Sequence, residues 1–192
     1  MVAMLTTQNG LGTTTQQDGL AFSGTPKLTY TPPNVVGCWC WFDNAAGGTV
    51  WRLTNSGLGD ASQLVVTGGT FQFNGTDSTG PTPWSINAGT QVTSQWAFVL
   101  CRMVGTSQYI DVVNMGNGQI SHNSSVTGLT FGAAPDTFTI GSPSGGSNAT
   151  RSMHVAEFWY TDADIQFNNA QISDTLLWQL AFYGPFSVPH II

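Results

Sequence analysis

The sequence predicts an all-β protein: an antiparallel β-sandwich with an extended N-terminal arm and one short C-terminal helix. Ten short runs of β-forming residues follow Thr25, each bounded by Gly, Pro, Asn or Asp. Some of these runs alternate, as in TFQFNG, where Phe71 and Phe73 share one face while Thr70 and Gln72 share the other. Only SDTLLWQLAFYGP carries a helical period. Many short strands with a single helix signal mean sheets packed face to face.

Residues 1–24 have turn-rich composition and no clear period, so they read as an arm, with Leu5, Leu11, Leu20 and Phe22 as candidate assembly contacts. The body, 25–172, is one sandwich domain. Its strand candidates are KLTY, VVGCWCWF, TVWRLT, SQLVVT, TFQF, SQWAFVLCRM, QYIDVVNM, SVTGLTF, DTFTIG and RSMHVAEFWYT. VVGCWCWF and QWAFVLC are apolar on both faces, which suits central strands covered on each side. A TDAD turn at 161–164 follows the last strand. Residues 173–192 form the helix and a tail. Ser173 or Asp174 can cap the helix, Leu176, Leu177, Leu180 and Tyr183 fall on one stripe, and Gly184 with Pro185 stops it. The apolar tail FSVPHII needs a surface to cover it, making Phe186, Val188, His190 and Ile191 further candidate assembly contacts.

At 192 residues the chain can bury roughly 70% of its unfolded surface, so a core is available without staples. Charged residues make up 7% of it, against about 25% in a typical soluble domain. The surface is therefore expected to be polar but nearly uncharged. Net charge is −6, and the cations are Lys27, Arg52, Arg102 and Arg151. No basic stripe exists to neutralise phosphates, so no nucleic-acid partner is expected. No apolar run approaches the ~18 residues of a membrane span. The opening MVAMLTTQNG has no basic segment of a secretory signal, which points to synthesis in a cytoplasm, and the Asn-x-Ser/Thr triplets at Asn74, Asn123 and Asn148 read as chance in so polar a chain.

Cys38 and Cys40 are two apart on one strand, so their side chains share a face and diverge, which disfavours a mutual disulfide. Cys101 leaves an odd count, and no CxxC pair occurs. Free, buried thiols are the expectation, with a bond from Cys101 to one of the pair as the alternative. Trp39 and Trp41 should occupy one side of that strand, and the cysteines with Phe42 the other.

The succession GCWCWF, TFQFNG, SQWAFVLCR followed by YIDVVNMGNG, DTFTIG and HVAEFWYTDADI, over roughly residues 30–170, resembles the concanavalin A-like lectin/glucanase superfamily, above all its laminin-G-like jelly-roll domains. Trp96 matches the strand before the hairpin, Ile140 and Gly141 the strand after it, and Ala156, Glu157, Trp159, Asp162 and Ile165 the closing segment. AEFWYTDADI followed by LLWQLAFYGPFSVPHI is similar to the endings of bacteriophage virion proteins that carry this domain.

The glucanase branch implied by that resemblance needs a strand with two inward carboxylates about 5 Å apart. EFWYTD at 157–162 offers Glu157 alone, with Trp159 and Thr161 at the next positions on its face, so the dyad is absent. His122, His154 and His190 have no HxH or HExxH spacing and read as core, surface or interface residues. GSPSGG has proline where a nucleophile elbow needs serine, and no phosphate-binding loop surrounds Lys27. Lectins of the superfamily hold calcium, which takes about six to eight oxygens. Here Asp162 with Asp164, Asp111 with Asn114, or Asp60 could contribute oxygens, but none stands in a DxDxDG loop and turn formation accounts for them, so no cofactor is expected and calcium is an unsupported alternative. A glycan would need an exposed ring to stack on; Trp84, in the loop-like PTPWSIN, and Tyr109 are the candidates.

These readings imply no enzyme. The expected function is a bacteriophage virion structural protein, a capsid decoration or cement protein whose arm and tail clamp the major capsid protein or other subunits. Homo-oligomerisation and residence in the virion follow from it. The alternative is a lectin-like module of a phage tail or fibre that binds a surface glycan.

Overall fold

The computed structural model describes residues 3–6, 19–23, 34–42, 48–55, 61–76, 84–91, 93–104, 106–126, 135–141, 153–161 and 171–183, with backbone alone at 3–6, 19–23, 153, 154 and 161. Among these residues the strands are β1 (Ala3–Thr6), β2 (Gly19–Ser23), β3 (Asn34–Phe42), β4 (Gly48–Thr54), β5 (Ala61–Thr67), β6 (Thr70–Thr76), β7 (Trp84–Thr90), β8 (Trp96–Val104), β9 (Ser107–Asn114), β10 (Ile120–Val126), β11 (Thr137–Gly141) and β12 (Met153–Thr161), followed by the helix α1 (Asp174–Tyr183). They form two antiparallel sheets, β1-β12-β3-β8-β9-β10 and β2-β11-β4-β5-β6-β7. The expected all-β sandwich is what the chain builds.

Alternation sorts the side chains. Cys38, Cys40 and Phe42 of β3 and Val99, Cys101 and Met103 of β8 point between the sheets, where they meet Trp51, Leu64, Phe71, Phe73, Ile86 and Ile140 of the second sheet. Phe42 against Phe71, at 6.1 Å, and Phe138 against Phe158, at 4.8 Å, tie one sheet to the other. Gly68 and Gly69, both with positive φ, make the two-residue turn from β5 to β6 that a hairpin's twist favours.

The first sheet is covered on its outer face as well. Val35, Phe98, Leu100 and Val113 pack there against Ile172, Leu177, Leu180 and Ala181, with Trp39 and Trp159 alongside. This explains why β3 and β8 are apolar on both faces, and it separates Trp39 from the inward cysteines as expected. All three thiols are free and buried.

Helix α1 starts where expected: Ser173 Oγ accepts a hydrogen bond from the Leu176 amide at 3.3 Å. Its buried stripe is Leu177, Leu180 and Ala181, rather than one that includes Tyr183, which is exposed. The shift follows from Trp39, whose indole Nε1 donates to the Ala181 carbonyl at 3.0 Å and draws that side of the last turn onto the sheet.

One other expectation is corrected. PTPWSIN is loop-like in composition, yet Trp84–Thr90 is a strand whose Trp84, Ile86 and Ala88 face the core. Of SVTGLTF, Ser125 and Val126 end β10, which begins at Ile120, and the other five residues lie outside the described residues. The extended N-terminal segment carries β1, which pairs with β12, and β2, which pairs with β11, one edge strand for each sheet; residues 7–18 lie outside the described residues. KLTY lies outside the described residues.

Candidate functional site

Charge is so scarce in this chain that its placement singles out one site. Arg102 on β8 stands opposite Tyr109 on β9, and Asp111 on β9 stands between Leu100 on β8 and His122 on β10. All of these side chains lie on the outer face of the first sheet, beside the first turn of α1. Arg102 is fully buried, and its Nε donates to Asp111 Oδ2 at 3.3 Å. Its guanidinium also lies over the Tyr109 ring, 4.4 Å from the centroid. Asp111 Oδ1 is 2.7 Å from His122 Nδ1, and His122 Nε2 is 2.9 Å from Oδ1 of Asp174. Four ionisable groups from three strands and the helix thus form one line from the buried interior to solvent.

Burial pushes the Asp111 carboxyl above its ordinary range, while Arg102 and His122 pull it back down. Burial disfavours charge on His122 too, but the hydrogen bonds to Asp111 and Asp174 outweigh it, and its pKa is raised. Both imidazole nitrogens are therefore engaged by carboxylates. In this arrangement neither nitrogen is free to accept a proton from a third group.

A second feature lies on the outer face of the second sheet. Arg52, Gln63, Asn74 and Ser85 stand side by side in register on β4, β5, β6 and β7. Gln63 Nε2 donates to Asn74 Oδ1 at 2.8 Å, Asn74 Nδ2 to Gln72 Oε1 at 2.7 Å, and Gln72 Nε2 to Asn87 Oδ1 at 3.0 Å. The result is a row of amides, half-buried at Gln63, Gln72 and Asn74 and exposed at Asn87, with the exposed Arg52 at one end. At the margin where β7 meets β9 and β10, Asn123 Nδ2 donates to the Asn87 carbonyl at 2.7 Å and Asn114 Nδ2 to the Thr90 carbonyl at 3.1 Å.

The residues expected to stack on a glycan do not form a platform. Trp84 is 4% exposed, set edge-on against Phe73 at 4.7 Å, and Tyr109 is 6% exposed beneath Arg102. Alternation along β7 turns Trp84 into the core, while Tyr109, on the outer face of the first sheet, is covered where it lies against the Arg102 guanidinium. Leu5 lies on β1, and Leu20 and Phe22 on β2, at the edges of the two sheets; Leu11, Phe186, Val188, His190 and Ile191 lie outside the described residues, as do Asp60, Asp162 and Asp164. Glu157 is exposed at a bulge in β12, away from the charged line. Among the described residues, no group of three or more His, Cys, Asp or Glu is arranged to hold a metal ion.

The charged line was missed because its members are far apart in sequence. Its signal was present in part: Arg102 and Asp111 are the charges inside WAFVLCRMV and SQYIDVVN, two strands buried along nearly their whole length.

No protein-family model matches the chain, and no curated protein does. Solved structures do. The heptameric SAP-like pentraxin of Limulus polyphemus is 16% identical, with a TM-score of 0.58 over 94% of this chain and 80% of its own. Domains LG4-5 of the mouse laminin alpha1 chain are 13% identical, with a TM-score of 0.57 over 84% of this chain and 45% of that one. The full-length tailspike protein 2 of Escherichia coli O157:H7 bacteriophage CAB120 is 12% identical, with a TM-score of 0.53 over 77% of this chain and 22% of its own. The chain spans 29% to 45% of the laminin and botulinum neurotoxin structures it matches. At these identities the likeness is one of architecture: the chain folds as a concanavalin A-like, laminin-G-like jelly roll.

Proposed function

We propose that this protein is a non-enzymatic structural module of a bacteriophage virion, a capsid decoration or cement protein that joins the major capsid protein or other subunits through its chain ends. The observation that carries this reading is the aromatic surface ending α1. Phe182 and Tyr183 are 56% and 68% exposed, Phe182 stacks on Trp178 at 5.4 Å, and the apolar sequence FSVPHII follows after Gly184 and Pro185. Adjoining exposed aromatics are more common at contact surfaces than on a free monomer, and a neighbouring subunit would bury these. Scarce surface charge supports the reading, since Arg102 is buried and few charges remain to repel a close-packed neighbour. The engagement of both His122 nitrogens favours a structural role over a catalytic one. A phage tailspike among the structures sharing the fold is consistent with a virion setting.

Sedimentation and electron microscopy of the full chain test the proposal. The expected result is assembly far beyond the 20.4 kDa monomer, or co-purification with a megadalton particle, lost in Phe182→Ser/Tyr183→Ser. A chain that stays monomeric at all concentrations and joins no particle overturns it.

A second reading, a carbohydrate-binding module of a phage tail or fibre, is favoured by the amide row of Gln63, Asn74, Gln72 and Asn87, whose remaining donors and acceptors suit hydroxyl groups. Glycan-array binding lost in Asn74→Ala supports it, and a clean array removes it.

A further inference from the structure

Around His122 the geometry points to a proton-dependent fastening of α1. Its Nδ1 is 2.7 Å from Asp111 and its Nε2 is 2.9 Å from Asp174, both carboxyl oxygens. A carboxylate only accepts, and a neutral imidazole has a single N–H. Both contacts can be hydrogen bonds together only when one additional proton is bound along Asp111–His122–Asp174. We propose that this proton is a clip: bound, it fastens the first turn of α1 to the first sheet, and its loss frees Asp174 and loosens that turn.

The groups that decide this can be named element by element. From β9 the group facing His122 is Asp111, and from α1 it is Asp174; Arg102 of β8 stands behind Asp111 on the other carboxyl oxygen. Strand β7, which packs against β10, has no ionisable side chain; the polar contact it makes there is the Asn87 carbonyl, which accepts from Asn123 Nδ2. With Arg102 fixed beside Asp111, deprotonation leaves two carboxylates facing an imidazole that can satisfy one of them. Asp174 is the one to be released, because it is 68% exposed while Asp111 is enclosed. The response is confined to the first turn. Leu177, Leu180 and Ala181 remain packed on Phe98 and Leu100, and the Trp39 indole holds the last turn at the Ala181 carbonyl.

The sign follows from the same bonds. His122 gains acceptors on folding and its pKa is raised, so the clip is fully closed below the ordinary histidine pKa of about 6.5 and opens as pH rises through the raised value. His122 is partly exposed, with 14% of its side-chain surface open, so protons reach it without unfolding of the core.

The test is an NMR titration of the His122 ring in the full chain, with exchange protection of the Leu176 and Leu177 amides measured at about pH 5.5 and about pH 8.5 and corrected for intrinsic rates. His122 should titrate above about 6.5, and first-turn protection should fall severalfold at the higher pH while Leu180 and Ala181 stay protected. In Asp174→Asn, altered at an exposed position, the His122 midpoint should drop, and in His122→Gln the first-turn response to pH should vanish. A His122 midpoint at or below the ordinary value, or an equal response in His122→Gln, overturns the proposal. If His122→Gln does not fold, Asp174→Asn decides: an unchanged midpoint and an unchanged pH response sink it.

Discussion

Trp159 fills the space that a side chain at Gly37 would need. The two residues face each other across β12 and β3, and a β-carbon built on Gly37 falls inside the Trp159 indole. Glycine at the centre of β3 is a weak strand former, and here its bareness is what admits the Trp159 indole on that face. Gly37→Ala should therefore destabilise the fold by about 1–3 kcal/mol as the indole is pushed off the sheet. Urea denaturation checks this, and Gly37→Ala/Trp159→Leu should recover part of the loss. Equal loss in the single and double variants would show that the indole is not the obstacle.

Trp159 reaches that face because β12 contains a bulge. Between Ala156 and Trp159 the strand advances three residues while β3 advances two, which turns Val155 and Phe158 inward and Trp159 outward. Glu157 absorbs the extra residue with φ of 49°, a left-handed conformation that costs a non-glycine residue roughly 1–2 kcal/mol. Glu157→Gly relieves this but adds freedom to the unfolded chain worth about 0.4–1 kcal/mol, so a net gain of about 0.5–1 kcal/mol is expected. Glu157→Val should lose stability, since a branched side chain tolerates that conformation worst. Denaturation midpoints of the two variants should move in opposite directions.

The buried charges should show strong non-additivity. Asp111→Ala leaves the Arg102 guanidinium enclosed without its carboxylate and should cost about 3–5 kcal/mol. Arg102→Met/Asp111→Leu removes both charges and keeps most of the volume, so it should cost far less than the sum of the single changes. A double-mutant cycle by chemical denaturation reads this directly. Additive losses would mean that the pair is not coupled.

How much of this was legible in the chain depended on whether a segment's partners were written in its own residues. β3 and β8 announce themselves, because a strand covered on both faces is apolar along long consecutive runs, VVGCWCWF in one and WAFVLC in the other. The start of α1 is equally local: Ser173 caps its own third following amide. β7 carries its alternation in Trp84, Ile86 and Ala88, but the prolines before it and the outward Ser85 and Asn87 give it the composition of a loop. β1 and β2 are four and five residues long and owe their conformation to the edges of β12 and β11 rather than to a period of their own. The line from Arg102 to Asp174 was the least legible. Cross-strand register places Arg102 next to Asp111 and His122, and only the docking of α1 adds Asp174.

The N-terminal strands make the consequence of truncation different from that of a free arm. Removing residues 1–24 strips β1 from β12 and β2 from β11, which leaves the backbone donors and acceptors along one edge of each sheet without their strand partners. Unpaired edges recruit other chains, so the truncated protein is expected to be less stable and to aggregate in proportion to its concentration. A shorter deletion, of residues 1 and 2 alone, spares both strands and should behave as the full chain. Light scattering during refolding separates the outcomes: a soluble, monomeric, fully stable 25–192 fragment would show that β1 and β2 contribute nothing to the body and leave the segment free to act on a neighbour.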